Sequence, residues 1–275
     1  MMNHFLRPIG KSLSVLTIAI GLASCANKDG KDEAAASAAL GKNPGYGNVS
    51  ARGPVPQNPD MRLSSDISGS SRVTVTHGSR SQKLIALTFD DGPNPAHTPR
   101  LLDMLRRRNV KATFYVIGER AANHPDIIRR IVNEGHEIGN HTWTHRNLKT
   151  LSDSQVRWEF DKTRDAIVRA SGVQPRTMRP PYGSMHQSQR EWVFREYGYP
   201  TVMWDVDPLD WKKPGPSVVA NRLVKGTRNG SILLVHDLHG SSVDAMPQAI
   251  DTLLRQGYQF VTVSQLIAQK SVAAR

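Results

Sequence analysis

Leu84-Ile85-Ala86-Leu87-Thr88-Phe89-Asp90-Asp91-Gly92-Pro93 is the segment around which the rest of the chain arranges itself. Its mostly apolar opening, closed by turn residues, suits a strand buried inside a sheet. The strand stops at two adjacent carboxylates, and a Gly-Pro turn keeps the chain from continuing extended. Side chains alternate along a strand, so Asp90 and Asp91 should point apart unless the turn rotates them. Two carboxylates placed there can hold two jobs, such as metal ligand and general base. A plain Asp-Gly turn with solvated acids is the blander alternative, and the rest of the chain must decide.

Outward from this strand the pattern becomes regular. Downstream, the spacing predicts helices over Thr98 to Arg108, Pro125 to Asn133, about Ser152 to Ala170, Ser188 to Tyr197, Ser217 to Lys225 and Val243 to Arg255, with a short terminal helix. Strands are expected at Ala112 to Ile117, Glu137 to Asn140, Thr177 to Arg179, Thr201 to Trp204, Ser231 to His236 and Phe260 to Val263. Upstream, Arg72 to Thr76 alternates and is β-rich, before a turn at His77-Gly78-Ser79. Strands alternating with helices make an α/β protein with a parallel sheet inside. About seven parallel strands suit an incomplete (β/α) barrel better than a doubly wound sheet. No G-x-G-x-x-G follows the first strand, which argues against a dinucleotide site.

The basic character is not a property of the leader alone. Residues 1–80 hold 9 Lys and Arg against 5 Asp and Glu, leaving 27 against 19 for residues 81–275. A basic surface favours anionic partners without choosing among them, and a solvated basic face is the simpler reading. No basic helix carries a base-reading or stacking pattern, so a nucleic-acid partner is not expected. The single cysteine, Cys25, excludes an intrachain disulfide and a cysteine-rich metal knuckle. Arg7 and Lys11 precede an apolar run, Leu13 to Leu22, too short to span a bilayer. The run ends Leu22-Ala23-Ser24-Cys25, which resembles a bacterial lipoprotein signal with lipid on Cys25. A plain secretory signal is the alternative. Residues 25–71 are rich in small and polar residues, and are expected to act as a disordered tether. About 45 such residues span roughly 35–40 Å on average. The expected domains are a signal peptide at 1–24, the tether, and a catalytic domain at 72–275. The expected address is the cell envelope, at the outer membrane if the host is Gram-negative.

Polar residues gather at the C-terminal ends of the expected strands, where barrels carry their sites. Asp90 and Asp91 end the first. His141-Thr142-Trp143-Thr144-His145, Arg179-Pro180-Pro181-Tyr182-Gly183, Asp207-Pro208-Leu209-Asp210-Trp211 and His236 follow later ones. The i, i+4 spacing puts His141 and His145 on one face if that segment is helical. An isolated H-x-x-x-H often arises by chance. Beside an Asp-Asp strand end, two imidazoles and a carboxylate fit a catalytic metal with open positions.

Together these motifs resemble the polysaccharide deacetylases of carbohydrate esterase family 4, the NodB homology domain, over about residues 81–268. The resemblance implies a distorted (β/α) barrel. It also implies a divalent metal ion, zinc by expectation with cobalt or nickel possible, on Asp91, His141 and His145. It implies Asp90 as base, Arg179 orienting it, and His236 as general acid paired with Asp210. A backbone N–H near Tyr182 would help bind the oxyanion, while Trp211 and Leu234 would line a pocket for the acetyl methyl. The implied reaction removes N-acetyl groups from an N-acetylglucosamine polymer, with peptidoglycan favoured by the envelope address. An O-acetyl esterase acting on xylan or a host glycan, a chitin deacetylase, and a non-catalytic glycan-binding lipoprotein are the alternatives. Asp205, Asp237 and His239 are read as structural, and Trp158 and Trp192 as core or interface. His97, His124, His136 and His186 are read as surface or capping residues. Tyr182 and Trp204 are candidates for sugar contact.

Overall fold

The computed structural model describes residues 73–273. Cys25, the expected signal and the tether lie outside the described residues. The opening strand is β2, Leu84–Asp90, and it is the hub of the sheet. It pairs in parallel with β3 (Thr113–Val116) and β6 (Ile232–His236), and at its start with β7 (Gln259–Phe260). Beyond β3 lies β4 (Glu137–Asn140), also parallel. A short strand, β1 (Thr74–Val75), pairs with β5 (Thr201–Val202).

Single-residue bridges carry the ladder round the remaining arc. Asn140 bridges Met178, Met178 bridges Thr201, and Val206 bridges Leu233 of β6. The ring is therefore regular around β2 and reduced to single bridges opposite it, a distorted barrel as expected. The strand expected at Thr177 to Arg179 is one bridging residue because Pro175, Pro180 and Pro181 flank it, and proline gives a ladder no N–H. The strand expected through Trp204 ends at Val202.

Side-chain alternation along β2 sorts the core. Ile85, Leu87 and Phe89 pack among the helices, and Phe89 stacks on Phe114 with ring centroids 5.3 Å apart. Ala86 packs with Tyr115, Val202, Ile232 and Leu266 on the other face. Thr88 and Asp90 belong to that second face by the period of two, so the inward side turns polar at the strand's C-terminal end.

Among the described residues the α-helices are α1 (Thr98–Arg107), α2 (Gly118–Asn123), α3 (Pro125–Asn133), α4 (Asp153–Ser171), α5 (Gln187–Tyr197), α6 (Pro216–Gly226), α7 (Gly240–Arg255) and α8 (Val263–Ala273). Ser152 caps α4 in a reciprocal capping box with Gln155, and Gly172 closes that helix in the left-handed region at φ 74°. Two expectations are corrected here. Val263 opens α8 instead of ending a strand, because Thr262 and Gln265 make the same reciprocal box as Ser152 and Gln155. His136 is a core residue, not a surface or capping one. Its Nδ1 accepts the Ala112 amide at 3.1 Å and its ring meets the Phe114 edge; burial pushes its pKa down to about 4.

Candidate active site

Asp90 is the last residue of β2 and lies opposite His236, its Cα partner at the end of β6. Both point to the inward side, so a carboxyl and an imidazole flank the mouth of the ring. Arg179, fully buried, donates from one terminal nitrogen to Asp90 Oδ1 at 2.6 Å and to Thr88 Oγ1 at 2.7 Å. Its other N–H groups reach the carbonyls of Val202 and Met203, both at 3.1 Å. The guanidinium lies over Tyr115 at 4.3 Å and Trp204 at 5.5 Å from the ring centroids. The planar cation is thus fixed on every side, and it occupies one oxygen of Asp90 while leaving Oδ2 to face the histidines.

The turn resolves the direction of the second carboxylate. Asp91 takes φ 73°, a left-handed conformation that is costly for a residue with a side chain. That rotation brings Asp91 Oδ1 to 3.2 Å from His141 Nε2 and 3.1 Å from His145 Nε2. Asp90 Oδ2 stands 3.8 Å from His141 Nε2. Thr142 (φ 66°) and His145 (φ 59°) are also left-handed, so the two histidines converge through a tight loop instead of a helical turn.

Asp91, His141 and His145 form a three-ligand cluster. The geometry around His141 tests whether a cation fits it. Its Nδ1 lies 2.7 Å from the Arg179 carbonyl, which can only accept, so Nδ1 carries the proton. In the neutral ring Nε2 is then a bare lone pair aimed at Asp91 Oδ1, which is buried and takes no hydrogen bond. Two acceptors facing each other need a positive charge between them, and a backbone carbonyl behind the imidazole is the usual support of a metal-ligating histidine. Without an ion a proton must serve instead. Burial pulls the His141 pKa down, but Asp90 and Asp91 leave it raised. Burial likewise lifts the Asp91 carboxyl, and the two imidazoles hold it well below the usual carboxylate range.

On the other side, His236 Nδ1 meets Asp210 Oδ1 at 2.9 Å. Asp210 Oδ2 accepts the His236 amide at 2.9 Å and the Ser242 hydroxyl at 2.6 Å. Burial alone would lower the His236 pKa, but the Asp210 carboxylate beside it raises it to about 9. Burial raises the Asp210 carboxyl, and His236 and Ser242 bring it below its ordinary value.

The remaining expected residues fall around this centre. Tyr182, 71% exposed and left-handed at φ 59°, sets its ring edge-on to His145 with centroids 4.8 Å apart. Trp211, 50% exposed, follows Asp210 in a short 3₁₀ turn under the Lys212 ammonium. Leu234 is buried on β6, two residues below His236 and so on the same face. Asp205 accepts the Ile232 amide and pairs with Arg80, and buried Asp237 takes the Thr98 hydroxyl, so both hold the frame.

Sequence reasoning missed three polar residues that support the site. Asn140 accepts the Thr142 amide and donates to the Phe160 carbonyl. Ser242 was hidden because α7 starts three residues before the expected boundary. Glu159 was hidden inside a helix, although an acid among Val156, Phe160 and Thr163 on the buried face of α4 is the signal that exposes it.

Fold and site together define the class: a parallel barrel whose C-terminal rim carries a carboxylate and two histidines able to hold a metal, between a carboxylate and an imidazolium. Residues 77–202 match the polysaccharide deacetylase family. A Bacillus cereus peptidoglycan-N-acetylglucosamine deacetylase is 37% identical over 224 residues, covering 77% of this chain and 81% of that protein. The peptidoglycan-N-acetylglucosamine deacetylase PgdA of Listeria monocytogenes is 39% identical over 191 residues, or 70% of this chain; the chain spans 40% of the length of that relative. The crystal structure of the Bc1960 peptidoglycan N-acetylglucosamine deacetylase superposes with a TM-score of 0.70 at 36% identity, covering 74% of this chain and 96% of that one. The chain belongs to the polysaccharide deacetylase family.

Proposed function

We propose that this protein is a metal-dependent hydrolase that removes N-acetyl groups from an N-acetylglucosamine-containing glycan, with peptidoglycan as the substrate. One observation carries the reading: a metal-ligand cluster stands between a carboxylate with one free oxygen and an imidazole kept protonated, on directly paired strand ends. Amide hydrolysis needs that combination, since an amine leaves poorly unless it is protonated.

A divalent cation, when bound by Asp91, His141 and His145, polarises the acetyl carbonyl and acidifies water; zinc suits a two-imidazole, one-carboxylate donor set. Asp90 Oδ2 takes the proton of the attacking water, while Arg179 occupies Oδ1 and fixes the direction of the free oxygen. The new C–O bond gives a tetrahedral oxyanion, and the C–N bond breaks as that species collapses to the carboxylic acid and His236 gives its proton to the departing nitrogen. Asp210 holds His236 Nδ1, so the proton transferred is the one on Nε2. Tyr182 offers an exposed aromatic face suited to a sugar ring, and Trp211 and Leu234 line the place of the acetyl methyl.

The substrate assignment draws on the peptidoglycan deacetylases among the relatives and on the lipoprotein-like stretch ending at Cys25. Lipid on Cys25 would hold the enzyme at the cell envelope, with the catalytic domain beginning near residue 72. Acetate release from N-acetylated glucosamine oligomers and from O-acetylated xylan, with and without chelator, tests the reading. Chelator-sensitive release from the first, well above the second, is the expected result. Preference for xylan would make it an esterase, and no release from either would make it a glycan-binding protein.

A further inference from the structure

The loop carrying both histidines has two left-handed residues in five and no regular secondary structure of its own. Its five amides and two of its carbonyls are nonetheless accounted for one by one. The first amides of α2 take its carbonyls: Gly118 N–H donates to Thr142 at 2.9 Å and Glu119 N–H to Trp143 at 3.2 Å. The His141 amide donates to the Val116 carbonyl, the Thr142 amide to Asn140 Oδ1, and the His145 amide to Thr142 Oγ1. The two amides between the histidines remain, and both go to one oxygen. Glu159 Oε2 accepts from Trp143 N at 2.7 Å and Thr144 N at 2.8 Å, while Oε1 accepts the Thr144 hydroxyl at 2.5 Å. Glu159 is buried, and it sits on the inner face of α4 beside Phe160, whose carbonyl holds Asn140.

We propose that Glu159 is a positioning residue for the metal site, fixing the separation and direction of the His141 and His145 imidazoles from the long helix behind them. It lies outside the ligand cluster and touches neither substrate nor proton-transfer groups. Its oxygens clamp the midpoint of the loop to a helix of about five turns that is itself capped at both ends. Without the clamp, two amides lose their acceptor and the loop loses the reason to keep its strained turns. The ligands would then be ordered only on binding the ion, and affinity falls when that ordering is no longer done in advance. Supporting groups behind metal ligands are worth about 10- to 100-fold in affinity. The inference rests on the Asp91, His141 and His145 assignment, so the test carries a control for it.

Zinc affinity of the full chain, by competition with a chelator of known affinity, is the measurement, with thermal unfolding of the metal-free protein read alongside. Glu159→Ala is expected to weaken zinc binding about 10- to 100-fold. Glu159→Gln is expected to bind within a few-fold of the wild type, because its amide carbonyl can still accept both N–H groups and its NH₂ can donate to Thr144 Oγ1. Glu159→Ala that binds zinc like the wild type, with only its metal-free melting temperature lowered, makes Glu159 a packing residue and overturns the proposal. Equal losses for Ala and Gln overturn it too, in favour of a charge effect. If Glu159→Ala does not fold, Thr144→Val, which removes one of the three contacts, should weaken binding several-fold; unchanged affinity there refutes the clamp. His141→Ala should abolish binding, and if it does not, the ligand assignment itself has failed.

Discussion

Asp90 and Asp91 are adjacent, yet a left-handed turn and a buried arginine give them different surroundings. Asp90→Asn should keep its place beside Arg179 and leave the ligand cluster whole. Bound metal measured by elemental analysis should therefore remain, while the rate falls about 10²- to 10⁴-fold. Asp91→Asn or His145→Ala should empty the site and abolish activity together. If Asp90→Asn loses the metal instead, the two roles are reversed. His236 supplies the pH dependence. Its pKa, pulled down by burial and raised further by Asp210, ends at about 9, so it is protonated through neutral pH and the alkaline limb of the rate profile should fall near there. Its folded-state value is above its ordinary 6.5, so the His236–Asp210 pair stabilises the fold fully below about 6.5, and that stabilisation is lost as pH rises through about 9. Asp210→Asn should move the rate limb downward and flatten the loss of melting temperature over the same window. A wild-type limb in that variant would assign the acid role to another group. At this scale the sequence showed the residues whose chemistry is unusual for a strand end. It did not show how they converge, because that depends on backbone turns at Asp91, Thr142 and His145 which no side-chain pattern announces.

Elements differ in how plainly the chain declares them. β2 and β6 are read almost to the residue, because both are short apolar runs stopped by polar residues. The arc at Met178 and Thr201 is not, since the prolines around it cut the ladder to single bridges. The missed start of α8 had its signal in Thr262 and Gln265, and an apolar run before it suggested a strand instead. Glycine at position 139 links the sheet to the site. It pairs in register with Tyr115, and a Cβ there would lie 2.3 Å from the Tyr115 ring, the ring that packs against the Arg179 guanidinium. Gly139→Ala should therefore force a shift in a packed interior and destabilise the fold by about 1–3 kcal/mol. Because the displaced ring bears on Arg179, activity should fall more than the fraction unfolded explains. A variant with wild-type melting temperature and rate would show that Tyr115 has room to move.

At the scale of the whole molecule, the first 72 residues are readable only as sequence and residues 73–273 as structure. Fold class followed from strands alternating with helices, and the ligand types from the resemblance carried by five short motifs; the supporting roles of Glu159, Asn140 and Ser242 did not, because each depends on a contact made only in the folded chain. Cys25→Ser should move the protein from the membrane fraction to the soluble fraction and leave the rate of the purified domain unchanged. Wild-type protein found without lipid on Cys25 would refute the anchor and leave the chemistry intact. The central claim is that this site cuts the acetamide bond of a cell-wall glycan with metal, carboxylate and imidazolium acting together. Acetate and new free amines, counted together after incubation with purified peptidoglycan, test it most directly. Equal amounts of both are expected, abolished by a chelator and restored by zinc. Acetate released without a matching amine, or equal release that persists through chelation in a metal-free preparation, would contradict it.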